Sequence, residues 1–309
     1  MSKPPLYIGG YIGLGDTIFF RPFIRSATTR YKVWLATAWP ELFTDLPVKF
    51  SKPRENRRTQ NKNIQRQPSR IWCSPPTRSR SHSRSRVKLM YNGDTIKQHG
   101  SIIKAIEHRL PLADGNFVFD LPDMGPSPVS VDKPIALVRP VTARREWFNP
   151  ARNPDPTYIY EVAAALMTTH HVVAVADIEE GEEWIVGKPP PCHQSFYGGE
   201  LTVKPLLALL QHADVCVGGV GWIVPASIAL KVPNVFIIGG GQGAYNSPEV
   251  VTDPRMNLSG IQFCMPTNYC RCNEREHDCD KRIEGFIDQW NAFYQARTLR
   301  CSIKSPRAA

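Results

Sequence analysis

The opening of the chain commits it to a narrow set of local geometries. An apolar segment, Leu6-Tyr7-Ile8-Gly9-Gly10, runs into Gly13-Leu14-Gly15-Asp16 and then into Thr17-Ile18-Phe19-Phe20-Arg21-Pro22. Strand, glycine turn and helix start, in that order, set the helix N-terminus and its free N–H groups over the carboxyl edge of the strand. Open α/β sheets bind ligands at that edge. Asp16 therefore stands at a crevice, where its carboxylate either caps the helix or takes a proton from a substrate. Arg21 and Arg25, about one turn apart on the same helix, read either as an anion-binding pair or as solvated charge.

The pattern repeats along the chain. Strand-like segments at 32–36, 48–50, 135–138, 172–176, 215–217 and 235–238 alternate with segments of helical spacing at 95–110, 157–169, 201–212 and 222–230. Such alternation predicts parallel sheets. A Pro/Gly/Ser-rich stretch at 123–133 divides the series, as an interdomain linker does. The expected fold class is α/β: two facing Rossmann-like domains with parallel sheets, residues 1–126 and 127–309, and a C-terminal helix. That helix is expected over 282–297, with Ile283, Phe286, Ile287, Trp290 and Phe293 on one face, packing back across the domain boundary.

Charge is concentrated. Residues 49–90 carry thirteen Lys and Arg against one acid, Glu55, so this segment holds +12 of a chain whose net charge is +10. The basic insertion, 51–86, shows little apolar periodicity. Its end, Arg78-Ser79-Arg80-Ser81-His82-Ser83-Arg84-Ser85-Arg86, reads as an extended edge or a disordered loop. Such a segment attracts polyanions, whether nucleic acid, an acidic membrane surface or a phosphorylated glycolipid. The plainer reading is a solvated insertion. No apolar run reaches the length of a membrane span, and residues 1–6 lack the apolar core of a secretory signal. A cytoplasmic protein is expected, free or peripheral to the inner face of the membrane.

Three segments carry a resemblance. Gly15-Asp16, with Pro22 one and a half turns on, resembles the N-terminal motif of lipopolysaccharide heptosyltransferases. The resemblance implies that Asp16 is the general base. Val141-Thr142-Ala143-Arg144-Arg145-Glu146-Trp147 resembles that family's Thr-containing loop, with a basic residue two before a Trp. Arg145 stands where the family usually has Lys, and Arg145 with Thr142 and Arg144 is expected to stabilise the departing diphosphate. The third segment, 218–234, is similar to the family in its Ala229-Leu230-x-x-Pro233 ending. It departs where the family has Asp-Thr-Gly and Ser-His, here Val220-Gly221-Trp222 and Val224-Pro225.

The resemblance implies a two-domain GT-B-type inverting glycosyltransferase that needs no cofactor for catalysis. A nucleotide-sugar donor would bind mainly in the second half, at Gly219, Gly221, Trp222, Ser227 and Glu200, and would reach Gly13 and Gly15. A hydroxyl acceptor, whether glycan, glycolipid or lipopolysaccharide core, would enter over the first half. For Glu200 helix capping is the alternative role, and for Trp222 core packing. The Gly239-Gly240-Gly241-Gln242-Gly243 run either approaches a ligand closely or forms a mobile loop.

Cys264, Cys270, Cys272 and Cys279, with His277 among them, put half of the eight cysteines into sixteen residues, 264–279. The spacing C-x5-C-x-C-x6-C can close a tetrahedral structural zinc site. Free or disulfide-forming thiols are the other reading. Two rival functions stand beside the transferase. One is the same fold glycosylating nucleic acid through the basic insertion, where only Phe50 and Trp72 interleave aromatics across 49–90. The other is a non-catalytic binding protein with a degenerate donor site.

Overall fold

The computed structural model describes residues 3–11, 13–54, 57–74, 86–113, 115–243 and 246–302. The first half runs β1 (Pro5–Gly10), α1 (Leu14–Arg30), β2 (Lys32–Ala36), β3 (Val48–Ser51), α2 (Arg58–Arg66), β4 (Arg86–Leu89), α3 (Gly93–His99) and α4 (Ile102–Arg109). Its four strands form a parallel sheet in the order β3-β2-β1-β4. Period-two alternation decides which face is buried. Leu6, Ile8, Val33 and Leu35 turn inward, onto Phe19, Phe20, Phe23 and Ile24 of α1.

The second half runs β5 (Ile135–Val138), β6 (Thr142–Arg144), α5 (Pro156–Leu166), β7 (His171–Val175), β8 (Glu183–Ile185), β9 (Gln194–Phe196), α6 (Val203–Gln211), β10 (Val215–Gly219), α7 (Ile223–Ala229), β11 (Val235–Ile238), α8 (Pro248–Val251), β12 (Ile261–Cys264) and α9 (Phe286–Ser302). Six strands form a parallel sheet in the order β12-β11-β10-β5-β7-β9, and β6 pairs antiparallel with β8 in a separate ribbon. β5, β10 and β11 are buried along their whole length, as a parallel sheet covered on both faces requires. The chain order reverses between β5 and β10, which opens a crevice at their carboxyl ends.

Residues 115–134 join the halves without a helix or strand. One hydrophobic cluster runs from the first sheet through α1 and α7 to the inner face of the second sheet. The two facing Rossmann-like halves therefore meet across a continuous apolar contact. Gly15 permits the closest part of it. A Cβ at Gly15 would lie 3.1 Å from the Trp222 Cα, so glycine lets the N-terminal ends of α1 and α7 approach this closely without displacing either backbone.

Four expectations change. The single helix expected over 95–110 is two, because Gly100 takes φ 90° and closes α3 while Ser101 caps α4. The basic insertion contains a helix, α2, with Gln60, Asn63 and Ile64 buried. Its Arg-rich end lies outside the described residues up to Ser85. The C-terminal helix does not cross back: Phe286, Trp290 and Phe293 surround Phe236 on the outer face of the second sheet, and Ile287 is exposed. Arg21 and Arg25 are taken up by internal ion pairs and are not free for an anion. Arg21 is fully buried, and both arginines pair with Asp45 and Asp120.

Candidate active site

The carboxyl ends of both sheets open into one cavity of about 740 Å³, within the range of small-molecule sites. Asp16 enters it from the first turn of α1. Gly13 makes this possible, because a Cβ there would collide with the Asp16 carboxylate. The Tyr91 hydroxyl, from the chain just beyond β4, donates to Asp16 Oδ1. Burial raises the Asp16 carboxyl above its ordinary value, while the Tyr91 hydrogen bond and the charge of Arg152 pull it back. A carboxylate of raised basicity, held by one donor and facing a cavity, is suited to proton abstraction.

Across the cavity the second half supplies cations. Arg139 follows β5 at the crevice where the strand order reverses, and Arg152 comes from the turn before α5. Neither lies within ion-pair distance of a carboxylate among the described residues. Burial lowers Arg139 to about 10, against the attraction of Glu183, and Arg144 and Arg152 add repulsion. Burial likewise lowers Arg152, against the attraction of Tyr91 and Asp16. Crowded guanidinium groups with no carboxylate in direct contact are poised for an anionic ligand. Arg139 Nη2 donates to Thr142 Oγ1 at 3.4 Å, and Asn153 Nδ2 to the Thr142 carbonyl at 3.0 Å.

The residues singled out in the sequence divide. Gly13, Gly15, Asp16, Thr142, Arg144, Gly221 and Trp222 all line the cavity. Arg145 does not: its side chain is 76% exposed and sits 3.8 Å from Glu182. The loop turns Arg144 inward instead, where the buried Glu183 holds it at 3.1 Å. Glu200 is exposed and outside the lining. Gly219 packs under Pro154, and Ser227 is buried in the body of α7. Sequence reasoning missed Tyr91, Arg139 and Arg152. The signal for Arg139 was its place directly after β5, parallel to that of Gly13–Asp16 after β1.

α2 closes one wall of the cavity and ties it to the opposite half. Arg58 meets Asp177, Glu179 and Glu183 at 3.2, 2.9 and 2.7 Å, and Lys62 meets Asp177 and Glu179 at 3.1 and 2.8 Å. Arg66 donates to the Gly199 carbonyl at 2.9 Å. Part of the basic insertion is thus neutralised within the protein. Glu183 pairs with both Arg58 and Arg144.

The cysteine cluster forms with a different membership. The ligand atoms of Cys270, Cys272, His277 and Cys279 all lie within 4.8 Å of one another. Cys264 is elsewhere, at the end of β12, with its thiol on Gln289 Oε1 at 3.4 Å. Cys272 and Cys279 Sγ are 3.4 Å apart, and His277 Nδ1 is 3.2 Å from Cys279 and 3.5 Å from Cys270. Tetrahedral zinc needs edges of about 3.6–3.8 Å between such ligands, so this Cys3His set fits a metal ion. The segment is joined to the cavity by Gln242, whose Nε2 donates to the Glu274 carbonyl at 3.0 Å and whose Oε1 accepts from Asn149.

This architecture is the fold of lipopolysaccharide heptosyltransferase-like glycosyltransferases of the two-domain GT-B type. Among solved structures it superposes on the dodecameric iron-containing heptosyltransferase TibC, solved with ADP-D-β-D-heptose, with a TM-score of 0.61 over 97% of this chain and 79% of that one, at 16% identity. TibC comes from enterotoxigenic Escherichia coli. ADP-heptose lipopolysaccharide heptosyltransferase II of E. coli gives 0.56 over 97% and 100%, at 12% identity. A family 9 glycosyltransferase from Veillonella parvula gives 0.54 over 96% and 99%, at 11% identity. No protein-family model matches the sequence, and no curated protein matches it. No described helix is long and apolar enough to cross a membrane.

Proposed function

We propose that this protein is an inverting glycosyltransferase that moves a sugar from a nucleotide-diphosphate donor to a hydroxyl acceptor. The observation that carries this reading is the opposition, across one cavity, of the Tyr91-held Asp16 carboxylate and Arg139 and Arg152, neither of which is in ion-pair contact with a carboxylate among the described residues. Asp16 accepts the acceptor's hydroxyl proton as that oxygen bonds to the anomeric carbon. The bond from that carbon to the donor phosphate oxygen breaks, and its electron pair leaves with the diphosphate. Arg139, Arg152 and Arg144 hold the growing negative charge. Single displacement with one base inverts the anomeric centre.

The donor lies mainly on residues 127–309 and the acceptor over 1–126, the two proposed domains. α2 and the α1–α7 contact fix their alignment, which favours a pre-positioned reaction. Cys270, Cys272, His277 and Cys279 hold a structural zinc or iron ion outside the chemistry. TibC is iron-containing, and a Cys3His set accepts either metal. Bound there, the ion would stiffen the 270–279 loop, which is hydrogen-bonded to Gln242 through the Glu274 carbonyl and, through Gln242, to Asn149.

Binding of a nucleoside-diphosphate panel to Arg139→Ala/Arg152→Ala tests the assignment. Affinity should fall at least about a hundredfold, the scale of two lost charge-assisted contacts. Arg145→Ala should stay within about twofold of wild type. Equal affinity in the double variant contradicts the donor site.

A further inference from the structure

Around Tyr7 and Trp34 one face of the first sheet joins no hydrophobic cluster among the described residues, whereas Ser51, at the carboxyl end of the same face, is buried. Leu6, Ile8, Val33, Leu35 and Leu89 point into the core. The opposite side of the same strands carries Tyr7, Trp34, Lys32, Lys49, Arg86 and Lys88, all half-buried or exposed. Tyr7 and Trp34 belong to no hydrophobic cluster. A Cβ built on Gly9, in the middle of this face, meets only Ala36 and Tyr7 of the sheet itself. Parallel sheets are ordinarily covered on both faces, so the bare face calls for an occupant.

Register arranges the face. Tyr7 pairs with Trp34 on one side and Arg86 on the other, and Trp34 pairs with Lys49. One row therefore reads Lys49, Trp34, Tyr7, Arg86 across four strands, about 14 Å at ordinary strand spacing. The cations rest over the rings: Lys49 and Lys32 are 5.3 and 5.5 Å from the Trp34 centroid, and Arg86 is 4.8 Å from that of Tyr7. None of the four strands contains Asp or Glu. None of Lys32, Lys49, Arg86 and Lys88 pairs with a carboxylate among the described residues. At the β4 edge the charge continues into a cleft lined by Arg86, Lys88, Arg109 and the stacked His99 and His108, whose rings are 4.5 Å apart.

We infer that this face binds single-stranded nucleic acid, with bases stacking on Trp34 and Tyr7 and phosphates taken by the flanking cations. Aromatic rings set into an open sheet and bordered by Lys and Arg are what a sequence-tolerant single-strand site needs. A phosphate draws the lysines off the ring, and a base takes their place. A lipid surface fits less well, because the cations rest over the two rings and stand between them and an apolar phase. The stretch 75–85, with Arg78, Arg80 and Arg84 and no acid, carries the same charge as the face and does not complement it. The site is separate from the donor cavity, so it stands or falls independently of the transferase reading.

The test is anisotropy of a fluorescein-labelled 20-mer of oligothymidylate titrated with the full chain over a range of salt. The Lys32→Gln/Lys49→Gln/Arg86→Gln/Lys88→Gln protein should lower the log–log salt slope by about 3, from four lost phosphate contacts. Tyr7→Ala/Trp34→Ala should weaken binding about tenfold or more at fixed salt, with the slope kept. Trp34→Phe should retain most of the affinity, and it serves if the double alanine variant unfolds. Failure of the 20-mer to bind overturns the inference. So does unchanged affinity in the aromatic variants with equal competition by inorganic polyphosphate, which marks charge alone. Binding of phosphatidylglycerol vesicles in place of the 20-mer also overturns it.

Discussion

Replacing Tyr91 with Phe isolates the hydrogen bond that its hydroxyl gives to the Asp16 carboxylate, the one side-chain donor to it from the first half among the described residues. The ring keeps its shape and only the donor goes. A hydrogen bond to an ionised group contributes about 1.5–3 kcal/mol, and one pH unit corresponds to about 1.4 kcal/mol. The Tyr91 bond favours the charged carboxylate against burial, which favours the neutral acid. Removing it therefore raises the Asp16 pKa, by about one to two pH units on these figures. Asp16 works as the ionised base, so rate climbs as pH rises through that pKa. The acid limb of kcat/KM against pH should move upward by the same amount. Above the new limb the rate should return, because a more basic carboxylate takes the proton at least as readily. Nucleoside-diphosphate affinity should not change. A limb that stays in place, or moves down, refutes the coupling. Loss of activity at every pH with an unmoved limb would make Tyr91, and not Asp16, the group that handles the proton.

Two further outcomes follow from the packing and the cysteine cluster. Gly15→Ala forces the ends of α1 and α7 apart at the 3.1 Å approach; we expect about 1–3 kcal/mol of lost stability in chemical denaturation, and an unchanged midpoint would mean that the halves do not meet there. Purified protein should carry about one equivalent of zinc or iron, lost in Cys272→Ser together with a lower Tm, whereas Cys264→Ser should keep its metal. A folded, metal-free protein whose thiols all react contradicts the site.

The strand–helix alternation was legible because each core strand is a short apolar run bounded by turn residues, and β2, β5 and β11 fall where the pattern put them. Asp16 was legible for the same reason: its position is fixed by the glycine turn next to it. Arg139 and Arg152 were not, since a guanidinium becomes a binding group only when folding strips it of carboxylate partners, and no local pattern records that. α2 was hidden by its composition. Its apolar content is nearly confined to Ile64, and acids more than a hundred residues away neutralise it. The exchange of Cys264 for His277 has a similar cause. Cys264 ends the edge strand β12 and is buried against α9, while the loop after it brings His277 around to Cys270 and Cys279. The Tyr7–Trp34 row escapes a linear reading altogether, because register, not proximity in the chain, makes these residues neighbours.

The central claim is that Asp16 is the base of a sugar transfer. The direct measurement compares wild type and Asp16→Asn for turnover of a nucleotide-sugar donor that the protein binds, with donor affinity and Tm measured on the same samples. Asn preserves size and a hydrogen-bond acceptor for Tyr91 but cannot take the proton. Turnover should fall at least about a hundredfold with affinity and Tm unchanged. An Asp16→Asn protein that turns over its donor at the wild-type rate would contradict the account.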